Sequence, residues 1–182
     1  MIEVRIHGRG GQGVVTAAEL ISIAAFYDGH EAQAFPNFGV ERRGAPIEAY
    51  ARISDEKIKL RSQIYEPDFI VVQDSTLLGV VDVFKGIKKT TKVIINSDKS
   101  PKDLLKGKFP VDEKNIMTIG ATDIALRVLG RPIINTVMLG AFAKFSGLIK
   151  VNSIKKALKE KFHGGILEKN INAVEEAYNL NS

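Results

Sequence analysis

Apolar and polar residues alternate at the start of the chain, where Ile2, Val4 and Ile6 are separated by single charged residues. A period of two is typical of a β-strand with one buried face. The same alternation predicts a strand at 47–53, followed by a hairpin turn at 54–57 and a short strand at 58–60. Continuous apolar runs predict strands at 69–72 and 93–95, and further short strands are predicted at 31–35 and 116–119. Apolar residues spaced by three or four predict helices at 14–27, 76–84, 101–106, 122–129, 133–146, 153–161 and 167–179.

Strands that alternate with helices along a chain are typical of α/β layered domains. The pattern therefore predicts a mostly parallel, locally mixed sheet flanked by helices. It also predicts a Rossmann-like glycine turn after the first strand and a helical C-terminal third. No low-complexity segment or long linker interrupts the 182 residues, so we expect a single domain spanning residues 1–182.

The helix predicted at 14–26 is apolar around most of its circumference. Only Thr16, Glu19 and Ser22, spaced by three, form a narrow polar stripe. A helix of this kind is buried on nearly all sides. One face can pack on the sheet, and the other needs a second layer or another protein; we expect it to be covered by another protein chain, either a partner subunit or a second copy.

The composition excludes several chemistries. The chain has no cysteine, so disulfides, thiolate nucleophiles and cysteine-ligated iron–sulfur clusters are excluded. The three histidines, His7, His30 and His163, are scattered and do not form a metal-site spacing with carboxylates. We therefore expect no metal ligand in this chain, and any electron transfer must occur on a partner or on a bound organic cofactor.

The net charge is +5, much of it in short lysine runs that favour solvated surfaces or, as an alternative, acidic or phosphate-bearing partners. No aromatic platform accompanies the lysines, so nucleic acid is not an expected partner. No run of about 18 apolar residues predicts a membrane span, and the first residues resemble a strand rather than a signal peptide. A cytoplasmic location is the expectation.

A glycine-rich segment follows the first strand and precedes the first helix. It fits the pattern G-x-G-x-x-G as Gly8, Arg9, Gly10, Gly11, Gln12 and Gly13. Such glycines permit tight turns and let backbone N–H groups at a helix N-terminus face an anion. A dinucleotide site also needs a carboxylate at the end of the second strand, and 32–35 ends without one. The alternative is that the glycines serve close packing or contact with another chain.

The loop at 36–46 holds two arginines and a carboxylate between prolines and glycines. Arg42 and Arg43 can bind phosphate or carboxylate groups through two parallel hydrogen bonds. The alternative is that Glu41 pairs with one arginine and the loop is a rigid connector. Because carboxyl ends of strands form ligand crevices in α/β sheets, we expect 8–13 and 36–44 to lie on one edge of the domain.

Together these segments resemble the gamma subunits of pyruvate:ferredoxin oxidoreductases, also called pyruvate synthases. The residues that carry the resemblance are 5–13, 34–46, 121–125 and 135–141. The form Val-Glu-Arg-Arg-Gly-Ala-Pro at 40–46 is similar to the pyruvate or branched-chain type, whereas the 2-oxoglutarate type more often has a methionine and a second glycine there.

The resemblance implies a coenzyme A-dependent oxidative decarboxylation of pyruvate to acetyl-coenzyme A that reduces ferredoxin, or its reverse. It implies that alpha, beta and delta subunits supply thiamine diphosphate, Mg²⁺ and iron–sulfur clusters, with ferredoxin an indirect partner, and that this chain is not catalytic alone. Ligand contacts are expected from Gly8, Arg9, Gly10, Gly11, Gln12, Gly13, Glu41, Arg42 and Arg43. Three alternatives stay open: a branched-chain 2-oxoacid enzyme, a stand-alone nucleotide- or coenzyme A-binding protein, and a purely structural scaffold.

Overall fold

A computed structural model describes residues 1–37 and 42–180. Six strands form one sheet in the order β2-β3-β1-β4-β5-β6. Strand β3 runs antiparallel to both β1 and β2, while β1, β4, β5 and β6 are parallel to one another. This confirms the predicted mixed, mostly parallel sheet. The strands are β1 Ile2–Arg9, β2 Glu31–Pro36, β3 Pro46–Ser54, β4 Phe69–Val72, β5 Lys92–Asn96 and β6 Ile116–Ile119.

The helices are α1 Val14–Tyr27, α2 Pro101–Leu104, α3 Ala121–Leu129, α4 Asn135–Ser146, α5 Val151–Lys161 and α6 Gly164–Asn179. The last four confirm the predicted helical C-terminal third. The main core joins one face of the sheet to α1 and α3–α6 and includes Val4, Ile6, Ile94 and Phe142. Helices α4 and α6 approach closely because Gly140 has no side chain: an added Cβ would lie 2.3 Å from the Val174 carbonyl oxygen.

Helix α1 lies in the middle of this core. Ala18, Leu20, Ala24 and Ala25 are completely buried. One side of the helix contacts β1, β2 and β3, and the other contacts α4 and α5. The expectation that another protein chain covers the outer face of this helix is therefore wrong, because helices of the C-terminal third, far along the sequence, supply that layer.

Two predicted elements near the middle of the chain are also wrong. Residues 58–60 are not a strand, because β3 already pairs on both edges with β1 and β2. The helix predicted at 76–84 is a 3₁₀ turn over Ser75–Gly79, followed by irregular chain. The Asp82 carboxylate accepts the Phe84 N–H, a local bond that stabilises a turn instead of a helix.

The opposite face of the sheet is apolar at one end of the strand order and polar at the other. Beneath β4 and β5 it is a second apolar cluster that includes Val72, Leu77 and Ile95. Beneath β1 and β3 it is polar, and two buried arginines anchor loops over it. Arg5 donates hydrogen bonds to the carbonyls of Val83 and Lys85, and Arg52 donates to Ser62 and to the Glu3 carboxylate. Within the described ranges, no helix has the length and apolarity to cross a bilayer.

His7 is a buried member of this polar face. Arg5 Nε donates to His7 Nε2 at 3.1 Å, so the ring is neutral with its proton on Nδ1, which is 3.5 Å from Glu48 Oε1. Burial lowers the pKa of His7 from 6.5 to about 4, and the Arg5 charge acts in the same direction, against the Glu48 carboxylate. The ring must therefore stay uncharged in the folded protein.

We expect this histidine to make the chain acid-sensitive. This histidine binds a proton near pH 6.5 in the unfolded state but only near pH 4 in the folded state. The free energy of unfolding therefore keeps its full value above pH 6.5 and decreases as the pH is lowered to 4. The loss reaches up to about 3 kcal/mol. Urea unfolding of the chain and of His7→Gln at several pH values measures it. Equal pH slopes in the two proteins would contradict the assignment.

Candidate functional site

The glycine turn begins inside β1 rather than after it. Gly8 is the last buried residue of the strand, and an added Cβ would lie 2.4 Å from the Val14 side chain. Gly13 takes a left-handed conformation, with φ +72°, and an added Cβ there would lie 2.6 Å from the Asn135 amide nitrogen. These two glycines allow α1 and α4 to approach the end of β1.

Gly10 lets another backbone segment approach the turn. Its N–H donates to the Ala45 carbonyl at 2.9 Å, and its carbonyl accepts the Gly44 N–H at 3.0 Å. An added Cβ would lie 2.4 Å from the Arg42 carbonyl oxygen. In a dinucleotide-binding turn the second glycine admits the pyrophosphate. Here residues 42–45 fill that position, so this glycine serves packing within the chain.

The side chains of Arg9 and Gln12 stabilise the glycine turn through hydrogen bonds to Asp74 and its neighbours. Arg9 donates from Nε to Asp74 at 3.0 Å, and its terminal nitrogens donate to the Gly44 carbonyl and the Thr76 hydroxyl. Gln12 accepts the Arg9 N–H and donates to Asp74. Although partial burial opposes it, hydrogen bonds from Thr76 and Gln12 and the Arg9 charge lower the pKa of Asp74. Arg9 and Gln12 thus hold the turn, and a ligand contact from either stays a prediction.

Both arginines of the loop lie beside the start of α1. Arg42 and Arg43 are exposed, and their side chains make no hydrogen bond or ion pair with any described residue. Residue 43 pairs with Gly10 in a parallel bridge. The expectation that 8–13 and 36–44 share one edge is confirmed for residues 42–44. Glu41, and with it residues 38–40, lies outside the described residues.

A pocket of about 630 Å³ separates the arginines from the helix. Its walls are the glycine turn, the first turn of α1 and the loop, and we call it the arginine pocket. Among the described residues no side chain caps helix α1, and the first turn of the helix contains no acidic residue. The first N–H groups of a helix have no partner within it, and the positive end of the helix dipole lies at the same pocket that Arg42 and Arg43 line, an environment that favours an anion. Its lining residues are Gly10, Gly11, Gly13, Val14, Val15, Thr16, Arg42, Arg43 and Ile47.

Sequence reasoning missed the residues that position this site from a distance. Asp74 holds Arg9 and Gln12, and Asn135 packs on Gly13. A signal was available for Asp74, because it follows a buried strand, and the carboxyl ends of parallel strands meet at one edge of a sheet. Asn135 begins a segment that carried the family resemblance, and its contact with the turn gives that segment a physical role.

Comparisons with known proteins identify the family of the chain. Residues 3–180 match the family model described as pyruvate ferredoxin/flavodoxin oxidoreductase. The chain is 55% identical to the pyruvate synthase subunit PorC of Methanocaldococcus jannaschii, covering 98% of this chain and 96% of the relative. It is 52% identical, with the same coverage, to the pyruvate/ketoisovalerate oxidoreductases common subunit gamma of Thermococcus kodakarensis.

A solved structure shows the same fold. The crystal structure of the pyruvate oxidoreductase subunit PORC from Thermotoga maritima superposes with a TM-score of 0.85 at 34% identity, covering 97% of this chain and 94% of that one. The resemblance drawn from the glycine turn and the arginine loop is thus confirmed by a family model and by relatives over nearly the whole length. The chain belongs to the pyruvate ferredoxin/flavodoxin oxidoreductase family, in which it is a gamma-type subunit.

Proposed function

We propose that this chain is the gamma subunit of a pyruvate synthase, which converts pyruvate and coenzyme A to acetyl-coenzyme A and carbon dioxide while reducing ferredoxin, or runs in reverse. The observation that carries the proposal is the 55% identity over 179 residues to a pyruvate synthase subunit. Two sequences this similar over 98% of one and 96% of the other share a fold.

The arginine pocket is the part of the chain proposed to meet a ligand. Coenzyme A and thiamine diphosphate both carry phosphates, and the pocket combines a helix N-terminus that no described side chain caps with two arginines. We assign the phosphate or carboxylate contact to Arg42 and Arg43, with backbone contacts from Gly11 and Gly13. Gly8 and Gly10 shape the pocket through packing, and Glu41 stays a candidate beside them.

The redox and carbanion chemistry is assigned to partner subunits. This chain has no cysteine to bind an iron–sulfur cluster. Among the described residues, no three His, Asp or Glu side chains gather as a metal site. We propose that alpha, beta and delta subunits supply thiamine diphosphate with its Mg²⁺ and the clusters, that ferredoxin docks on the assembly rather than on this chain, and that the complex is cytoplasmic. The 1–182 chain acts in it as a single domain.

The stand-alone nucleotide-binding alternative has less support. Residues 42–45 fill the space that a pyrophosphate takes in a dinucleotide-binding turn. Strand β2 ends at Pro36, and no carboxylate follows it among the residues up to 37. One observation favours a second 2-oxoacid as a substrate of the enzymes that contain this chain. A relative of 52% identity is a common subunit of pyruvate and ketoisovalerate oxidoreductases. A gamma subunit shared by two such enzymes is therefore the second candidate.

Purification of the assembled enzyme through a tag on this chain separates the two candidates. The 2-oxoacid is proposed to bind elsewhere in the complex, so one gamma subunit would support more than one substrate only if it assembles with more than one set of partners. We expect a single set of partners and a kcat/KM at least about tenfold higher for pyruvate than for 2-ketoisovalerate. Two partner sets, each with its own substrate, would establish the shared subunit instead.

A further inference from the structure

An apolar groove lies among the C-terminal helices, and it shares no lining residue with the arginine pocket. Its volume is about 300 Å³. It is formed by the end of α3, the segment before α4, the residue after α5 and the first two turns of α6. We call it the helical groove. Its apolar walls are Leu129, Ile133, Phe162 and Ile166.

These walls differ in how much of their apolar surface reaches solvent. Leu129 and Phe162 are partly buried and pack against the main core, which holds them in place. Ile133 and Ile166 are instead 43% and 57% exposed, although isoleucine is among the residues that proteins bury most often. Single exposed apolar residues are common, but two that line one concave surface indicate an interaction site.

The uncharged polar residue of the lining, Asn170, is already engaged within the chain. It is buried, its amide oxygen accepts the Thr136 hydroxyl at 2.8 Å, and its amide nitrogen donates to the Ile166 carbonyl at 2.8 Å. The groove therefore offers mainly apolar surface, whose removal from water favours binding. A volume of about 300 Å³ is at the lower end for small-molecule pockets and suits one bulky side chain that inserts as an anchor.

The charged residues that line the groove are both positive. Arg131 and Lys169 are exposed, and neither forms an ion pair with a described residue, whereas Arg127 on α3 pairs with Glu176 on α6. No carboxylate from the described part of the chain belongs to the lining. Interfaces place opposite charges against each other, because like charges in contact disfavour association. A segment that fits this groove therefore carries carboxylates beside its apolar anchor.

We propose that the helical groove binds a segment of a partner subunit in which a bulky aliphatic or aromatic side chain is flanked by carboxylates. The anchor packs on Ile133 and Ile166, and the carboxylates pair with Arg131 and Lys169. This inference rests on the proposed function, because the occupant belongs to another subunit of the complex. The arginine pocket takes no part in it, so one surface of the chain serves ligand binding and another serves assembly.

Competitive incorporation into the complex tests this docking site. Wild-type chain and one variant are co-expressed at equal levels with the other subunits. The complex is isolated through a tag on a different subunit, and mass spectrometry gives the ratio of the two forms. Ile166→Asp should be incorporated at about one tenth of the wild-type level or less, because it replaces an apolar contact and opposes the carboxylates of the partner. The double variant Arg131→Glu, Lys169→Glu should be excluded to a similar degree.

The first variant also separates docking from folding. Position 166 lies in the first turn of α6, where a carboxylate interacts favourably with the helix dipole. The isolated Ile166→Asp chain should therefore keep the wild-type Tm. Val80→Asp is the matched control for an exposed apolar residue, since Val80 is 60% exposed and does not line the groove. Lys159→Glu is the control for charge reversal on a solvent-exposed helix position. Both controls should be incorporated like the wild type.

A photo-crosslinking residue at position 133 of the assembled complex identifies the occupant. The expected product joins this chain to one peptide of another subunit, with a bulky apolar residue and carboxylates within a few positions of it. The docking site is overturned if the groove variants are incorporated as well as the controls, or if the crosslink reaches a second copy of this chain or a segment without carboxylates. A complex from which the wild-type chain is also absent would overturn the proposed function as well.

Discussion

Gly10→Val should abolish turnover of the assembled enzyme and remove about 3 kcal/mol or more from the stability of the chain. The new Cβ would lie 2.4 Å from the Arg42 carbonyl oxygen and 3.1 Å from its carbon. Both atoms belong to the backbone, so no side-chain rotation relieves the contact. The segment 42–45 must move away, which breaks the two hydrogen bonds between Gly10 and residues 44 and 45 and opens the arginine pocket.

Chemical unfolding and steady-state turnover measure the two effects. Gly79→Ala is the matched control, because an added Cβ at Gly79 meets nothing within 4 Å and its φ needs no glycine. The control should keep both stability and turnover. If Gly10→Val retains wild-type stability and turnover, residues 42–45 do not pack on the turn in the working enzyme, and the pocket described above is not its functional geometry.

Removing the two arginines together should raise the KM for coenzyme A about a hundredfold while the complex stays assembled. Each guanidinium–phosphate hydrogen bond contributes about 1.5–3 kcal/mol, which is roughly tenfold or more in affinity. The side chains are exposed and pair with no described residue, so truncation should cost the fold little. The variants Arg42→Ala, Arg43→Ala and the double variant, assayed with varied coenzyme A at saturating pyruvate, give the size of each contribution.

Arg61→Ala is the control for a general loss of positive charge, since Arg61 is exposed and does not line the pocket. It should leave the KM for coenzyme A unchanged. Two results would contradict a ligand contact from Arg42 and Arg43. The first is unchanged kinetics in the double variant. The second is dissociation of the complex without any change in KM for the fraction that remains assembled, which would make the arginines an interface between subunits.

Much of the fold follows from local pattern. The strand at 69–72 was predicted with its observed bounds, because a short run of four apolar residues is typical of a strand that is buried on both faces of a parallel sheet. The helices of the C-terminal third were predicted to within a few residues for a similar reason, a long and regular apolar stripe. Local pattern failed at 58–60, where strand formation depends on whether β3 has a free edge, and at 76–84, where an Asp82 turn overrides helical spacing.

The site was predictable only in part, because its pieces are far apart in sequence. The glycines and arginines were identified, since their residue types are unusual and clustered. Their actual partners were not identified. The Arg9–Asp74 contact joins residues 65 positions apart in sequence, and Gly13 and Asn135 are separated by an even longer stretch of sequence. The same limit applies to α1: its apolar circumference predicted complete burial, but only the tertiary fold shows that α4 and α5 bury it.

The assignment as a subunit that is inactive alone is tested most directly by one assay. Reduction of a viologen dye with pyruvate and coenzyme A is followed with the purified chain, and then with the same chain in the complex isolated from the cells that encode it. We predict no turnover by the chain alone and pyruvate-dependent, coenzyme A-dependent turnover by the complex. Sustained turnover by the chain alone, or an active complex from which this chain is absent, would contradict the account.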